Sequence, residues 1–223
     1  MISYKSININ KISDNLIDDA YKKLLKNKWQ FIIINSNNKK YVLTKEKSIF
    51  SIKDAKEFLK KAEEDIYYKT IFDNKEEFYK KDLNIYRKYI KRYKPLMEKE
   101  LYGDKYVFGC VAVRTKNNNF ITTIRGKENF LDYTIVSDVD HINHIVKVFG
   151  KKATLNAPLL SKLFENQRVK TIVHINHYFD DELPYYDYAF PGTIKDSYRN
   201  NNESFNIKYH GVIYLFDKDG NTL

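Results

Sequence analysis

Hydrophobic residues in the first hundred positions recur at spacings typical of helices around a small pair of strands. One helical face begins after Ser13, a common N-cap residue, and carries Leu16, Ile17, Ala20, Tyr21, Leu24 and Leu25. Residues 29–34 and 41–43 are rich in strand-forming side chains, and an asparagine-rich turn joins them. A later helical stripe covers 79–93, and Pro95 is expected either to interrupt it or to begin a short new helix that ends near Gly103.

The pattern changes near residue 105, after which short apolar segments separated by polar turns dominate. Six segments are typical of strands: 106–114, 120–124, 133–139, 145–149, 169–176 and 205–216, the last broken at His210-Gly211. Between them, Asn156-Ala157-Pro158 is typical of a helix start, with Asn156 as the cap and proline in the first turn. Strands interspersed with helices predict a layered α/β domain with a mixed sheet.

Composition and length indicate one globular domain with room for a small extra module. Of the 223 residues 43% are hydrophobic, so the chain is not expected to be intrinsically disordered. No apolar run approaches the roughly 20 residues of a membrane helix, and the start has no signal-peptide core. Cys110 is the single cysteine, so an intramolecular disulfide is impossible and a reducing, cytoplasmic setting is expected.

The net charge of +10 raises the hypothesis of nucleic-acid binding, which the distribution of charge weakens. Residues 1–105 hold 25 basic against 16 acidic side chains, whereas residues 106–223 hold 14 against 13. The excess in the first half is almost entirely lysine, and nucleic-acid sites favour arginine forks on a clustered basic face. We therefore expect neither a membrane nor a nucleic acid as the partner, and keep lysine-mediated binding as a minor alternative.

All five histidines lie in the second half, and the tetrapeptide His-Ile-Asn-His occurs twice, at 141–144 and 174–177. Alternate residues of a strand share a face, so His174 and Asn176 project together, whereas His177 points away unless the strand ends first. A catalytic metal site needs two or three converging imidazoles or carboxylates. Taken alone, His174 is more typical of a hydrogen-bonded structural histidine than of a ligand.

Six segments, read in order, resemble the class II aldolase/adducin family. They are GCVAVR (109–114), FITTIRGK (120–127), KATLNAPLLSKLF (152–164), VKTIVHINH (169–177), YAFPGTIKDS (188–197) and YHGVIYLFDKDG (209–220). The family contains metal-dependent sugar-phosphate aldolases, epimerases and dehydratases, together with the non-catalytic adducin head domain. The resemblance implies a three-layer α/β/α sandwich with a mixed, mostly antiparallel sheet over 81–223. A small α+β module over 1–80 would precede it.

The family's metal site implies three histidine ligands, and the match here is incomplete. His174 matches the first histidine of a His-x-His at the end of a strand, and His210 before Gly211 matches the third. The second histidine position falls on Asn176, with His177 one residue later. The resemblance therefore implies a divalent metal, zinc, held by His174, His177 and His210.

The acid/base and anion-binding positions also depart from the family. The acid/base glutamate falls on Asn156, an amide that cannot exchange a proton at neutral pH and is a common helix cap. A replacement catalytic acid could come from the acidic run 180–182, where Asp181 is our candidate. An anionic group of the substrate would be received by Thr122, Thr123, Arg125 and Gly126.

These matches and departures lead to hypotheses of different classes. The first is a class II aldolase/adducin-like protein that binds a phosphorylated sugar or related small polyol, as a metal-dependent lyase or epimerase. By analogy with the family it would be a homo-oligomer, a tetramer. The second is a catalytically silent, adducin-like scaffold. The sequence ends at Leu223 without the C-terminal helices expected in that family, which is consistent with a fragment of a longer polypeptide.

Overall fold

Strands make up most of the regular structure of the described residues. Fifteen strands and four helices lie within the described residues, and none of these helices is long and apolar enough to cross a membrane. The chain divides into two compact units, Met1–Asp65 and Ile66–Leu223. The computed structural model describes residues 4–27, 31–44, 47, 49–53, 55, 68–73, 79–97, 101–102, 106–107, 109–115, 119–176, 178–189, 191–198 and 202–223.

The described part of the first unit includes a four-stranded sheet and the helix α1 (Asp14–Lys26). As predicted, the helix follows Ser13, whose side chain accepts a hydrogen bond from the Leu16 amide. The predicted strand pair is confirmed, and a strand that was not predicted flanks it on each side. The first pair is parallel and the others are antiparallel. In spatial order the strands are β1 (Tyr4–Asn8), β2 (Phe31–Ser36), β3 (Lys39–Thr44) and β4 (Ile49–Ile52).

The second unit is built on a nine-stranded mixed sheet. Its two outermost strand pairs are parallel and the six inner pairs are antiparallel. The predicted α/β class with a mixed sheet is therefore confirmed. In spatial order the strands are β13 (Tyr185–Tyr186), β14 (Phe205–Ile207), β15 (Gly211–Phe216), β12 (Thr171–Asn176), β8 (Cys110–Arg114), β9 (Phe120–Thr123), β10 (Tyr133–Asp140), β11 (Ile145–Phe149) and β5 (Lys69–Asp73).

Within the described residues, three helices belong to this unit: α2 (Tyr79–Met97), α3 (Ala157–Leu163) and α4 (Ile194–Ser197). Because side chains alternate along a strand, the sheet has two apolar faces, each with its own core cluster. One cluster joins α2 to side chains such as Val111 and Val173. The other joins α3 to their strand neighbours, such as Cys110 and Ile172. His174, two residues after Ile172 in β12, therefore lies on the face that α3 covers.

Two expectations about local structure were wrong. Pro95 lies inside α2, which ends two residues later, because the last turn still buries Tyr93 and Met97. This burial offsets the loss of a single backbone hydrogen bond near the helix end. The segment 106–114 is two strands, since Gly109 adopts a left-handed φ of 67° and breaks the run. The first part, β7 (Tyr106–Val107), pairs with β6 (Leu101–Tyr102) in a separate hairpin.

The edge strand β5 was not predicted as part of the main sheet. It pairs in parallel with β11, with Lys69 opposite Ile145 and Asp73 opposite Phe149. The sequence pattern places these residues in the N-terminal module, whose predicted boundary is at residue 80. Strand β5 carries no strong apolar alternation, so only its pairing partner identifies it as a strand.

Candidate functional site

Four strand ends meet at one edge of the large sheet. Strand β8 is antiparallel to both β9 and β12, and β12 is antiparallel to β15. The start of β8, the end of β9, the end of β12 and the start of β15 therefore share that edge. His174 lies two residues before the end of β12, and His210 lies immediately before β15. The topology alone thus brings two histidines from distant parts of the sequence to the same place.

The rings of His174 and His210 are in contact. Their centroids are 4.6 Å apart and their planes are inclined by 32°. Each residue is only 3% exposed. The ring of Tyr188 lies 5.9 Å from the His210 ring. The arrangement is a buried imidazole pair, in which one ring belongs to β12 and the other to the residue that precedes β15.

Gly211 permits the close approach of β15 to β12 at this point. It lies opposite Asn176 and has a φ of 125°, a conformation that residues with a side chain rarely adopt. A Cβ at this position would overlap the Ile175 carbonyl oxygen and lie 2.8 Å from the Asn176 Cα. His210 can therefore reach His174 only because the following residue is glycine.

Asn156 occupies the N-cap position of α3, but its side chain does not cap the helix. Its backbone is already helical, with φ −74° and ψ 0°, whereas a capping residue needs an extended backbone. Thr193, at φ −89° and ψ 165°, does cap α4 through its hydroxyl. The Asn156 amide nitrogen instead lies 2.7 Å from His174 Nδ1 and 3.8 Å from Cys110 Sγ. The interpretation of Asn156 as a side-chain cap is wrong, because the amide faces the histidine pair.

Asn176, which stands where the family resemblance implies the second metal-binding histidine, is buried. Asn176 is 5% exposed, and its Oδ1 has no hydrogen-bond partner within the described part of the chain. His177, the alternative third ligand, lies outside the described residues. Among the residues that are described, no group of three or more His, Cys, Asp or Glu side chains is placed to hold a metal ion. The candidate metal-binding groups among the described residues are therefore the two imidazoles and the buried amide oxygen of Asn176.

The four residues predicted to receive an anion are not on one face of the sheet. Thr122 and Thr123 are adjacent in β9, both are 0% exposed, and their side chains therefore project to opposite faces. The Thr122 hydroxyl donates a hydrogen bond to the Val111 carbonyl at 3.0 Å. Arg125 and Gly126 are exposed just beyond the end of β9. Only these last two are open to a ligand from solvent.

The predicted replacement acid lies in an exposed loop. Asp181 accepts a hydrogen bond from the Tyr185 hydroxyl at 3.2 Å. Its neighbour Asp180 accepts one from the Tyr214 hydroxyl at 2.9 Å, and its backbone is bonded to the Asn206 amide. Burial, followed by the hydrogen bond to Asp180, raises the pKa of Tyr214. The contacts of Asp180 join the loop to the sheet, whereas Asp181 is bonded to the exposed Tyr185.

Cys110 is a single cysteine in an apolar segment, which by itself is more typical of a packed core residue than of a nucleophile paired with a distant histidine. The structure places it directly opposite His174 in the β8–β12 pairing, and it is 0% exposed. Its sulfur is also within reach of the Asn156 amide. The pairing register of β8 and β12 brings Cys110 and His174 together. Residue spacing within one segment cannot predict that register.

The second His-Ile-Asn-His copy lies at the opposite edge of the sheet, in the hairpin between β10 and β11. The Tyr68 hydroxyl is 2.7 Å from His141 Nδ1 and 3.1 Å from Ser197 Oγ. Because Ser197 donates its own proton to the Ile194 carbonyl, the tyrosine must donate to Ser197 and accept from His141. Burial raises the pKa of Tyr68, which keeps the phenol protonated as a donor. This copy therefore forms a structural hydrogen-bond chain.

The hydrogen-bond chain through Tyr68 predicts that the free energy of unfolding depends on pH through the protonation of His141. Burial, aided by the charge of Lys162, lowers the pKa of the His141 imidazole below its ordinary 6.5. The unfolded chain then binds the proton more tightly, so stability is lost as the pH falls below about 6.5. We expect the free energy of unfolding, measured with urea, to fall between about pH 7.5 and 5.5. The fall should be smaller in His141→Gln, and identical pH profiles for the two proteins would contradict this assignment.

Comparison with known proteins gives similarity at the level of structure. No protein-family model matches the chain, and no curated protein matches its sequence. YgbL from Escherichia coli, described as a candidate aldolase, epimerase or decarboxylase, is 16% identical, with a TM-score of 0.44 over 65% of this chain and 82% of its own. The l-fuculose-1-phosphate aldolase from Thermus thermophilus is 14% identical, with a TM-score of 0.41 over 61% of this chain and 81% of its own. A further L-fuculose 1-phosphate aldolase is 13% identical, with a TM-score of 0.39 over 59% and 74%. These three solved structures are aldolase-like proteins at low sequence identity to this chain.

Proposed function

We propose that the second unit binds a divalent cation through His174 and His210 and acts on a phosphorylated sugar or related small polyol. The observation that carries the proposal is the buried contact of the two imidazoles at 4.6 Å, at the edge where four strand ends meet. In this proposal the domain is a class II aldolase-like, three-layer α/β/α sandwich. Helices α2 and α3 would form the outer layers, because each shares a core cluster with one face of the sheet.

The donor chemistry fits a borderline-soft cation such as zinc. Neutral imidazole is a preferred zinc ligand, and zinc sites usually combine three or four such donors. His174 and His210 supply two nitrogens, and the buried Asn176 oxygen is available nearby as a weak third donor. His177, adjacent to Asn176 in the sequence, is the stronger candidate for the third ligand.

The reaction would be of the lyase or epimerase type. A bound cation in such a site acts as a Lewis acid on a substrate carbonyl or hydroxyl oxygen. Asn156 is near enough to orient His174 but cannot move a proton at neutral pH, so it is not the acid or base. Asp181 could serve as the proton carrier only if its exposed loop closes over the site. Arg125, with the turn amides at Gly126, is the candidate for binding a phosphate group.

The second candidate is a catalytically silent scaffold, and one observation favours it. The position of the family's acid/base glutamate is Asn156, an amide whose side-chain nitrogen is bonded to His174 Nδ1. Such a protein would keep the buried polar cluster for structure alone. In either case, we propose a cytoplasmic protein that assembles as a homo-oligomer.

Metal content tests the proposal directly. The full chain, incubated with zinc chloride and dialysed, should retain stoichiometric zinc by elemental analysis. Replacing both histidines, His174→Ala with His210→Ala, should remove it. Loss of a residue that only orients a metal ligand typically weakens metal affinity by about 10–100-fold. Each single histidine change removes a ligand itself, so it should weaken zinc affinity by more than this. His144→Ala, in the other His-Ile-Asn-His copy, is the matched control and should retain zinc.

A screen of sugar phosphates for cleavage or epimerisation by the zinc-loaded chain then separates the two candidates. Turnover that is lost in the double variant supports the enzyme. Stoichiometric zinc without turnover on any substrate limits the proposal to ligand binding. Equal zinc content in the wild-type chain and the double variant removes the proposed metal site altogether and leaves the scaffold.

A further inference from the structure

Asn156 has a role that neither helix capping nor acid/base chemistry explains. Its side chain is 6% exposed, makes no cap hydrogen bond, and reaches His174 and Cys110 instead. A buried amide that makes no cap hydrogen bond needs other hydrogen-bond partners, because an unpaired buried polar group is costly. The two contacts on the histidine side provide that compensation.

The hydrogen-bond geometry assigns the position of the His174 ring proton. The amide nitrogen of Asn156 lies 2.7 Å from His174 Nδ1, and a primary amide nitrogen can only donate. Nδ1 must then carry a lone pair, so the proton of the neutral ring is on Nε2. The second N–H of the same amide points towards Cys110 Sγ at 3.8 Å. Both hydrogens of the amide are thus used.

The side chains of Asn156, His174 and Cys110 can also form these hydrogen bonds with donors and acceptors exchanged. If the amide turns by half a rotation, its oxygen takes the place of the nitrogen and accepts from an Nδ1–H. The thiol of Cys110 can then donate its S–H to the same oxygen. Two hydrogen bonds are exchanged for two, so the reversal keeps the number of hydrogen bonds among these three groups unchanged.

We propose that Asn156 is a positioning residue that sets the tautomer of His174. In the metal-free protein its amide nitrogen keeps the ring proton on Nε2. When the amide turns over, the ring proton is on Nδ1, and Nε2 carries the lone pair that a metal ligand needs. The first part stands on the observed contacts alone, whereas the second rests on the proposed function. A carboxylate here could only accept, and would hold the proton on Nδ1 permanently.

Nitrogen-15 NMR of the imidazole rings tests the first part without any metal. The metal-free wild-type chain should show His174 with its proton on Nε2. Asn156→Asp should move the proton to Nδ1, whereas the signals of His144, outside this cluster, should not change. A wild-type spectrum with the proton on Nδ1 overturns the proposal, even if the variant does not fold. An unchanged His174 tautomer in a folded Asn156→Asp protein overturns it equally.

Zinc affinity tests the second part. Asn156→Leu keeps a similar volume but can neither donate nor accept, and should weaken zinc binding by about 10–100-fold. Asn156→Asp should bind zinc at least as tightly as the wild type, because its carboxylate stabilises the Nδ1–H form. Equal affinities for Asn156→Leu and the wild type overturn the positioning role in metal binding. If the wild type binds no zinc, the proposed function fails while the NMR result still decides the tautomer.

Discussion

Gly211→Ala is expected to destabilise the second unit by about 3–5 kcal/mol. The new Cβ would overlap the Ile175 carbonyl and crowd the Asn176 Cα, both of which belong to the backbone of a central strand. Neither atom can rotate away, so β15 must separate from β12. The φ of 125° adds conformational strain to this overlap. The melting temperature of the variant should fall by about 10 °C, measured by circular dichroism.

Gly126→Ala is the matched control for this prediction. Gly126 also has a left-handed φ, 71°, but a Cβ there would have no heavy atom within 4 Å. Only the conformational cost remains, about 1–2 kcal/mol. The difference between the two variants isolates the close approach of β15 and β12. Equal losses of stability would show that the two strands do not approach closely beside His210.

Arg114→Ala is expected to cost about 2–3 kcal/mol of unfolding free energy, because Arg114 joins the end of α3 to the sheet. Its guanidinium donates to the backbone carbonyls of Phe164, Asn166 and Val169, and to the side chain of Gln167. The first of these carbonyls belongs to the C-cap residue of α3, where a positive charge also complements the helix dipole. Removing the side chain leaves these acceptors without their donor.

Urea unfolding of two further variants checks the explanation. Arg114→Lys keeps the charge but has no planar fork, so it should recover only part of the lost stability. Arg168→Ala removes an exposed arginine from the same loop and should change stability by less than about 0.5 kcal/mol. Coincident unfolding curves for Arg114→Ala and Arg168→Ala would contradict the proposed role of Arg114.

Local periodicity predicted much of the secondary structure of the described residues. The helix after Ser13 and the strands 145–149 and 169–176 were recognisable because their apolar spacing and flanking residues are local properties. The prediction at Pro95 was wrong because the local free-energy cost of proline in a helix was outweighed by burial of the last helical turn. Strand β5 was missed because a marginal strand depends on the neighbour with which it pairs.

The candidate site was less predictable than the fold. Residue types and their order drew attention to His174, His210 and Asn156. Spacing within a segment could not show that the Asn156 amide turns from the helix end to the histidine ring. It also could not show that Thr122 and Thr123 are sealed within the sheet, since burial depends on the elements packed around them.

The sequence by itself determined the class of the second unit, the positions of most of its strands and the residue types available for chemistry. These depend on side-chain periods and on backbone preferences, which are properties of neighbouring residues. The tertiary structure alone decided which distant residues touch: His174 with His210 and Asn156, and Tyr68 with His141. Such contacts depend on strand order and register, which are set by the packing of the whole sheet and not by any one segment.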